Sequence, residues 1–250
     1  MQETDLLGWT VNSQNGIDYT KTVQSFLDSE ELFRNFRRGD QSYTNILEHL
    51  TEGEGKIYLD YILKHYPHLL EKFTEFERND LVGNPVKFNY INGISINPTT
   101  LRYIKFVGDI EKRFGNLDGY NLVEIGGGYG GLVRVLSSVN SFKSIKLFDL
   151  PEVVKLQSKY LSRYGIDAQT YTLLDEFKID SNTVVVSNYA WCECNTETRQ
   201  QYYDRIISKC DKVFIVHYGV DTEHDLMELQ GKKEVEKEVL DDCKIFSLSK

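Results

Sequence analysis

From residue 121 onward, short apolar runs alternate with longer stretches in which apolar positions recur at helical spacing. The runs at 122–125, 144–148, 168–172, 183–187 and 213–217 predict strands, and the segments 131–138, 152–164 and 197–209 predict helices. Strands that are apolar without alternation belong to a sheet covered on both faces. This half of the chain therefore predicts a doubly wound, Rossmann-like α/β sheet with largely parallel strands. The last stretch, 221–250, is highly charged and ends in one more predicted strand at 244–248.

Residues 1–115 follow a different rhythm. Mixed stretches such as 43–50 and 57–73 carry apolar residues at helical spacing, so this region reads as mainly helical. Asn84-Pro85 and Asn97-Pro98 mark breaks, with a short strand or hairpin expected around 87–91. From Pro98 a helix is predicted, with Thr99 and Thr100 near its start and Leu101, Ile104, Val107 and Ile110 as its apolar face before Gly115. Two regions result: a helical one, 1–115, and an α/β domain, 116–250.

Composition narrows the function. A formal net charge of -9 over 250 residues argues against a phosphate-coating surface and so against nucleic acid as partner. No stretch approaches the roughly 20 apolar residues of a membrane span, and residues 1–10 include Glu3 and Asp5 instead of a signal-like apolar run, so a cytoplasmic protein is expected. Cys192, Cys194, Cys210 and Cys243 lack paired zinc-type spacing and read as reduced thiols near the sheet. His65 and His68 are separated by Pro67 and accompanied by no carboxylate cluster, so no metal site is expected.

The chemistry concentrates at Val123-Glu124-Ile125-Gly126-Gly127-Gly128-Tyr129-Gly130-Gly131, where a strand runs into five glycines within six residues and then into an apolar helix. Such a turn lets a ligand reach the backbone. By spacing alone it fits either a dinucleotide or another nucleoside cofactor, because Gly126, Gly128 and Gly131 also satisfy the pyrophosphate-binding fingerprint. Glu124 tilts the balance: its carboxylate suits a cationic ligand with an amino group and a sulfonium, and repels a pyrophosphate. Asp149, ending the next strand, stands where such folds place the acid that accepts ribose hydroxyls; it also precedes Pro151, a residue suited to starting a helix.

With these pieces in place, the chain resembles the class I S-adenosylmethionine-dependent methyltransferases, and among them the sugar O-methyltransferase family. The resemblance rests on Asn97-Pro98-Thr99-Thr100-Leu101-Arg102-Tyr103, the glycine turn, Phe148-Asp149-Leu150-Pro151 with Gln157 and Tyr160-Leu161, and Ser187-Asn188-Tyr189-Ala190 with Glu193. It implies a seven-stranded sheet and a helical N-terminal part serving as a lid or homodimerisation surface. It also implies S-adenosyl-L-methionine as cofactor, held by Glu124, Gly126, Gly128, Tyr129, Asp149, Leu150 and Asn188, with Leu174 and Asp175 beside the adenine. Thr100, Arg102, Tyr103, Tyr189 and Tyr218 fall to the acceptor, a sugar or nucleotide-sugar on the way to a glycan.

A sugar hydroxyl needs a base to take its proton, and two side chains fall at strand ends on the cofactor side: His217 and Glu193. His217 is placed first, as a residue that titrates near neutrality. Against each stands a structural role, a packed histidine and an acid near a helix start. Two other functions share the pattern. A nicotinamide-dependent sugar oxidoreductase would use the same turn, but the spaced pair Tyr61 and His65 lacks the lysine that chemistry requires. A non-catalytic binding domain would keep the fold alone.

Overall fold

The computed structural model describes residues 19–218, 226, 230–240 and 243–250. Its centre is a seven-stranded sheet made of β3 (Asn121–Ile125), β4 (Ser144–Phe148), β5 (Gln169–Tyr171), β6 (Thr183–Asn188), β7 (Lys212–His217), β8 (Lys232–Lys237) and β9 (Lys244–Ser249). In space the order is β5-β4-β3-β6-β7-β9-β8. The first five strands are parallel; β9 runs antiparallel between β7 and β8. Every residue of β3 is buried, as is all but the last of β6, which is why apolar residues dominate both strands without a polar face.

The chain builds outward from β3 through β4 to β5, then returns to lay β6 on the other side of β3. This reversal opens a crevice beyond the carboxyl ends of β3 and β6, the place where open α/β sheets bind ligands. The antiparallel β9 departs from the wholly parallel six-strand order of dinucleotide-binding sheets. Strand β8, Lys-Lys-Glu-Val-Glu-Lys, lies outside the predicted strands. It sits at the sheet edge, exposed or half-buried along its whole length, where no apolar run is needed and charge deters edge pairing.

The helices between strands are α7 (Gly131–Leu136), α8 (Pro151–Ser162) and α10 (Thr196–Arg205), with one extra turn, α9 (Ala190–Glu193), directly after β6. The predicted helix at 197–209 ends early: residues Ile207–Lys209 form a separate 3-10 turn. The N-terminal part is helical as expected, with α1 (Tyr19–Asp28), α2 (Glu30–Arg34), α3 (Gln41–Leu47), α4 (Glu52–His65), α5 (Phe73–Glu77) and α6 (Pro98–Phe114). Pro67 divides the predicted helical stretch 57–73 into α4 and a 3-10 segment, Pro67–Lys72, because its ring cannot continue the α4 hydrogen-bond ladder. The expected hairpin exists as β1 (Phe88–Asn89) paired with β2 (Ser95–Ile96).

Helix α6 joins the two regions. Asn97 caps it by accepting from the amides of Thr99 and Thr100, and every residue from Pro98 to Ile110 is buried, not only the apolar face. The polar ones are paired: Thr100 Oγ1 donates to Asp80 at 2.7 Å, and Lys105 bridges Asp109 and Glu238, each at 2.8 Å. Glu238 follows β8, so this ion cluster ties α6 to the end of the sheet. One continuous hydrophobic core runs from Val23 to Leu248 through both regions. Among the described residues, no helix is long and apolar enough to cross a membrane.

Candidate active site

A cleft of about 460 Å³ opens at the switch point. Its floor is the glycine turn: Gly126, Gly127 and Gly128 line it, with positive φ at Gly126 (69°) and Gly128 (56°). The amide of Gly126 donates to the Phe148 carbonyl at 2.8 Å, which fastens the turn to the end of β4. Side chains are excluded here for a second reason. A Cβ on Gly127 would lie 2.6 Å from Cδ of Glu124, so the bare backbone leaves room for that carboxyl.

Three acids line the cleft: Glu124 near the end of β3, Asp149 after β4, and Glu193 in α9. Asp149 accepts from the Leu150 amide at 2.8 Å and from Gln157 Nε2 at 2.9 Å, an arrangement that fixes its carboxyl at the cleft wall. Burial raises its pKa to about 7 even so, with the hydrogen bonds pulling the other way. Glu124 is raised to about 8, by burial first and by the neighbouring Asp149 second, and its Oε2 is buried with no hydrogen-bond partner. Burial also pushes Glu193 up. Two buried acids whose pKa values lie near neutrality, beside a cavity, form an acceptor-rich cradle that a cation or hydrogen-bond donors would shift to its ionised form.

The opposite wall comes from the helical region. Tyr19 of α1, Asn45, Ile46 and Leu47 of α3, His49 after it, and Arg102 and Tyr103 of α6 all face the cleft. Leu47 reaches the glycine turn itself: a Cβ on Gly128 would stand 3.1 Å from its methyl group. Thr99 Oγ1 donates to the Leu47 carbonyl at 3.2 Å and so anchors α3 to the start of α6. Tyr19, Asn45, Ile46, Leu47 and His49 were not singled out from sequence. They lie at least 77 positions before the turn they cover, and no local motif marks them.

Asn188, Tyr189, Ala190, Leu150, Tyr218 and Cys243 complete the lining. Tyr189 is one of few non-glycine residues with positive φ, 67°. Its amide donates to the Val216 carbonyl at 2.9 Å, holding this strained backbone where β6 meets the cleft. Arg102 packs over the Tyr189 ring, 5.5 Å from its centroid.

Five residues assigned to the site from sequence stand elsewhere. Tyr129 is wholly buried in the core, its ring packed edge-on against Tyr160 (4.9 Å) and under the Arg37 guanidinium (4.7 Å); the glycines on both sides send its side chain away from the cleft. Thr100 is also in the core, bonded to Asp80 and Asn79. Leu174 is 59% exposed and outside the cleft lining. Asp175 closes its own turn by accepting from the amide and hydroxyl of Thr172 at 2.6 and 2.9 Å. His217 is fully buried at the end of β7, opposite Lys244 in the register with β9, and does not line the cleft. The pleat decides this: neighbouring residues point to opposite sides, and it is the next residue, Tyr218, that reaches the cavity.

The paired histidines do not converge. His68 Nε2 meets Glu111 at 2.9 Å, while His65 stacks on Tyr61 with centroids 4.3 Å apart. Among the described residues, no group of three or more His, Cys, Asp or Glu side chains could hold a metal ion. The four cysteines are free thiols; Cys194 and Cys210 are buried, and Cys192 donates to the Tyr189 carbonyl at 2.8 Å.

No family model matches the chain, and no curated protein matches it. Solved structures do. A proposed S-adenosyl-L-methionine-dependent methyltransferase from Methanococcus maripaludis aligns with 58% of this chain and 83% of its own, at 16% identity and a TM-score of 0.46. A proposed methyltransferase from Pseudomonas syringae aligns over 58% and 96%, at 12% identity and a TM-score of 0.46. An rRNA methylase from Streptococcus thermophilus aligns over 53% and 87%, at 17% identity and a TM-score of 0.40. Similarity at this level concerns the outline of sheet and helices and assigns no reaction.

Proposed function

We propose that the protein is an S-adenosyl-L-methionine-dependent O-methyltransferase acting on a hydroxyl of a sugar, in the form of a nucleotide-sugar or glycan precursor. The observation that carries the cofactor is the pair Glu124 and Asp149. Both are buried against the glycine turn, and the acceptor capacity of Glu124 Oε2 is unused. A pyrophosphate placed there would meet two carboxylates at close range, whereas an ammonium or sulfonium would be attracted by them. The same acids disfavour the nicotinamide reading, as does the antiparallel β9 in the sheet.

In this reading the backbone of Gly126 to Gly128 and the Glu124 carboxyl bind the amino-acid end of the cofactor, and Asp149, steadied by Gln157, accepts from its ribose hydroxyls. When bound, the cofactor supplies a methyl group made electrophilic by the attached sulfonium. The chain's own tasks are to align the acceptor oxygen and to remove its proton. Tyr189, Tyr218 and Tyr19 offer ring faces for a sugar, and the α3 and Leu47 wall excludes water from above. Glu193 takes precedence over His217 as the proton acceptor, because Glu193 faces the cleft and its raised pKa makes its carboxylate a better base than an ordinary one. The helical part, 1–115, then acts as the lid over the acceptor.

Calorimetric titration with S-adenosylhomocysteine and NADH in parallel tests the reading. Binding of S-adenosylhomocysteine alone is expected; binding of NADH alone overturns it.

A further inference from the structure

The cleft is acidic except at one point. Among the described residues that line it, Arg102 is the only lysine or arginine. Its side chain enters from the second turn of α6, 5% exposed, and its buried Nε has no hydrogen-bond partner. No carboxylate among the described residues lies within ion-pair distance of it. Glu48, whose charge acts on Arg102, is committed to Arg37 at 2.5 Å. The aromatic face of Tyr189 stabilises the cation but accepts none of its hydrogen bonds in the guanidinium plane.

A buried guanidinium that faces a cavity with no carboxylate of the described residues at ion-pair distance is an incomplete arrangement. Burying an arginine is costly unless its donors are used, and its planar fork matches the two oxygens of a carboxylate or phosphate. We infer that Arg102 forms an oxyanion subsite at the acceptor end of the cleft, taking a carboxylate or phosphate of a bound ligand.

Two sources share this chemistry: an acidic or phosphorylated acceptor, and the carboxylate at the amino-acid end of the cofactor. The packing favours the acceptor. Arg102 lies over the ring of Tyr189, 5.5 Å from its centroid, a ring face that the proposed function gives to the acceptor, whereas Glu124, given to the cofactor's amino end, lies against Gly127 of the glycine turn. The inference deepens the proposed function, and depends on it only for the identity of the ligand. A uronic acid, a sugar phosphate or a nucleotide-sugar would satisfy it; an uncharged monosaccharide would leave the guanidinium unpaired.

The test uses the full chain, with inorganic phosphate as probe followed by phosphorus NMR and S-adenosylhomocysteine followed by calorimetry, on the wild type, Arg102→Gln and Arg102→Lys. Phosphate is expected to bind the wild type, and to bind Arg102→Gln about 10- to 100-fold more weakly, the loss of a charge-assisted pair. Arg102→Lys keeps a point charge without the fork and should fall between them; it carries the test if the glutamine variant does not fold.

Phosphate that still binds when S-adenosylhomocysteine is saturating identifies the acceptor as the source. Displacement of phosphate, together with a loss of S-adenosylhomocysteine affinity in Arg102→Gln that its decarboxylated analogue does not suffer, identifies the cofactor's carboxylate. Equal phosphate binding in wild type and variants, or none in any of them, with S-adenosylhomocysteine affinity unchanged, overturns the subsite. If no form binds S-adenosylhomocysteine while phosphate binding still depends on Arg102, the subsite stands and the methyltransferase reading falls.

Discussion

Gly127 sits directly against the carboxyl of Glu124: a Cβ on the glycine would stand 2.6 Å from the acid's Cδ. The missing side chain at Gly127 therefore leaves room for the carboxyl of a residue three positions earlier, and not only for a ligand. Gly127→Val would have to expel that carboxyl or shift the turn. Overpacking of this kind costs about 1–3 kcal/mol. A lowered thermal midpoint together with loss of S-adenosylhomocysteine binding is expected, and both are read from unfolding scans with and without the ligand.

The same acid makes stability depend on pH. Glu124 is raised to about 8 and Asp149 to about 7, both chiefly by burial, against ordinary carboxylate values near 4 in the unfolded chain. The folded state holds these protons more tightly than the unfolded state does. Its advantage is full below about pH 4 and is lost as pH rises through 7 and 8. Unfolding midpoints of the ligand-free protein should fall over that range. Glu124→Gln, which keeps the shape and removes the charge, should flatten the decline; an equally steep decline in the variant would exclude Glu124 as its origin.

Cofactor binding should show the opposite slope. A cationic ligand favours the ionised acids, so affinity for S-adenosyl-L-methionine is expected to rise between pH 6 and pH 8.5 (about the span of the two raised pKa values) with release of protons. Calorimetry in buffers of different ionisation enthalpy counts those protons. Asp149→Asn should weaken S-adenosylhomocysteine by about 10- to 100-fold, the worth of one or two charge-assisted hydrogen bonds.

The two proton acceptors expected from sequence now separate. Glu193→Gln should lower turnover by about two to four orders of magnitude with cofactor affinity largely spared, as for removal of a general base. His217→Ala should act through the fold, lowering the unfolding midpoint because it opens a space under β7 and β9. Turnover that survives Glu193→Gln and collapses in a stable His217→Ala would reverse the assignment.

Arg37 offers a test of how the helical region is held. Its guanidinium, fully buried, meets Glu48 at 2.5 Å and Asp80 at 3.2 Å and lies over the Tyr129 ring. Arg37→Met strands two buried acids, and breaking a pair of this kind costs about 3–5 kcal/mol. Denaturant unfolding of the variant measures it; a loss under 1 kcal/mol (roughly the value of an exposed pair) would show that the acids find other partners.

By itself, the sequence determined whatever depends on near neighbours in the chain. Buried parallel strands are mostly apolar on both faces, so β3, β4, β6 and β7 were visible as apolar-rich runs. A strand that turns into a helix beside a ligand needs glycine at successive positions, so 126–131 and the acids at 124 and 149 stood out. Edge strand β8 escaped because solvent on its outer side demands no apolar pattern. Only the tertiary structure decided which side chains face the cleft. Tyr129 adjoins the turn yet points into the core, and His217 and Tyr218 are consecutive yet only Tyr218 reaches the cavity, because side-chain direction follows from pleat and turn geometry and not from proximity in sequence. Packing alone brings Leu47 against the glycine turn and Tyr19 into the same cleft, since contacts between distant segments leave no local signature in either segment.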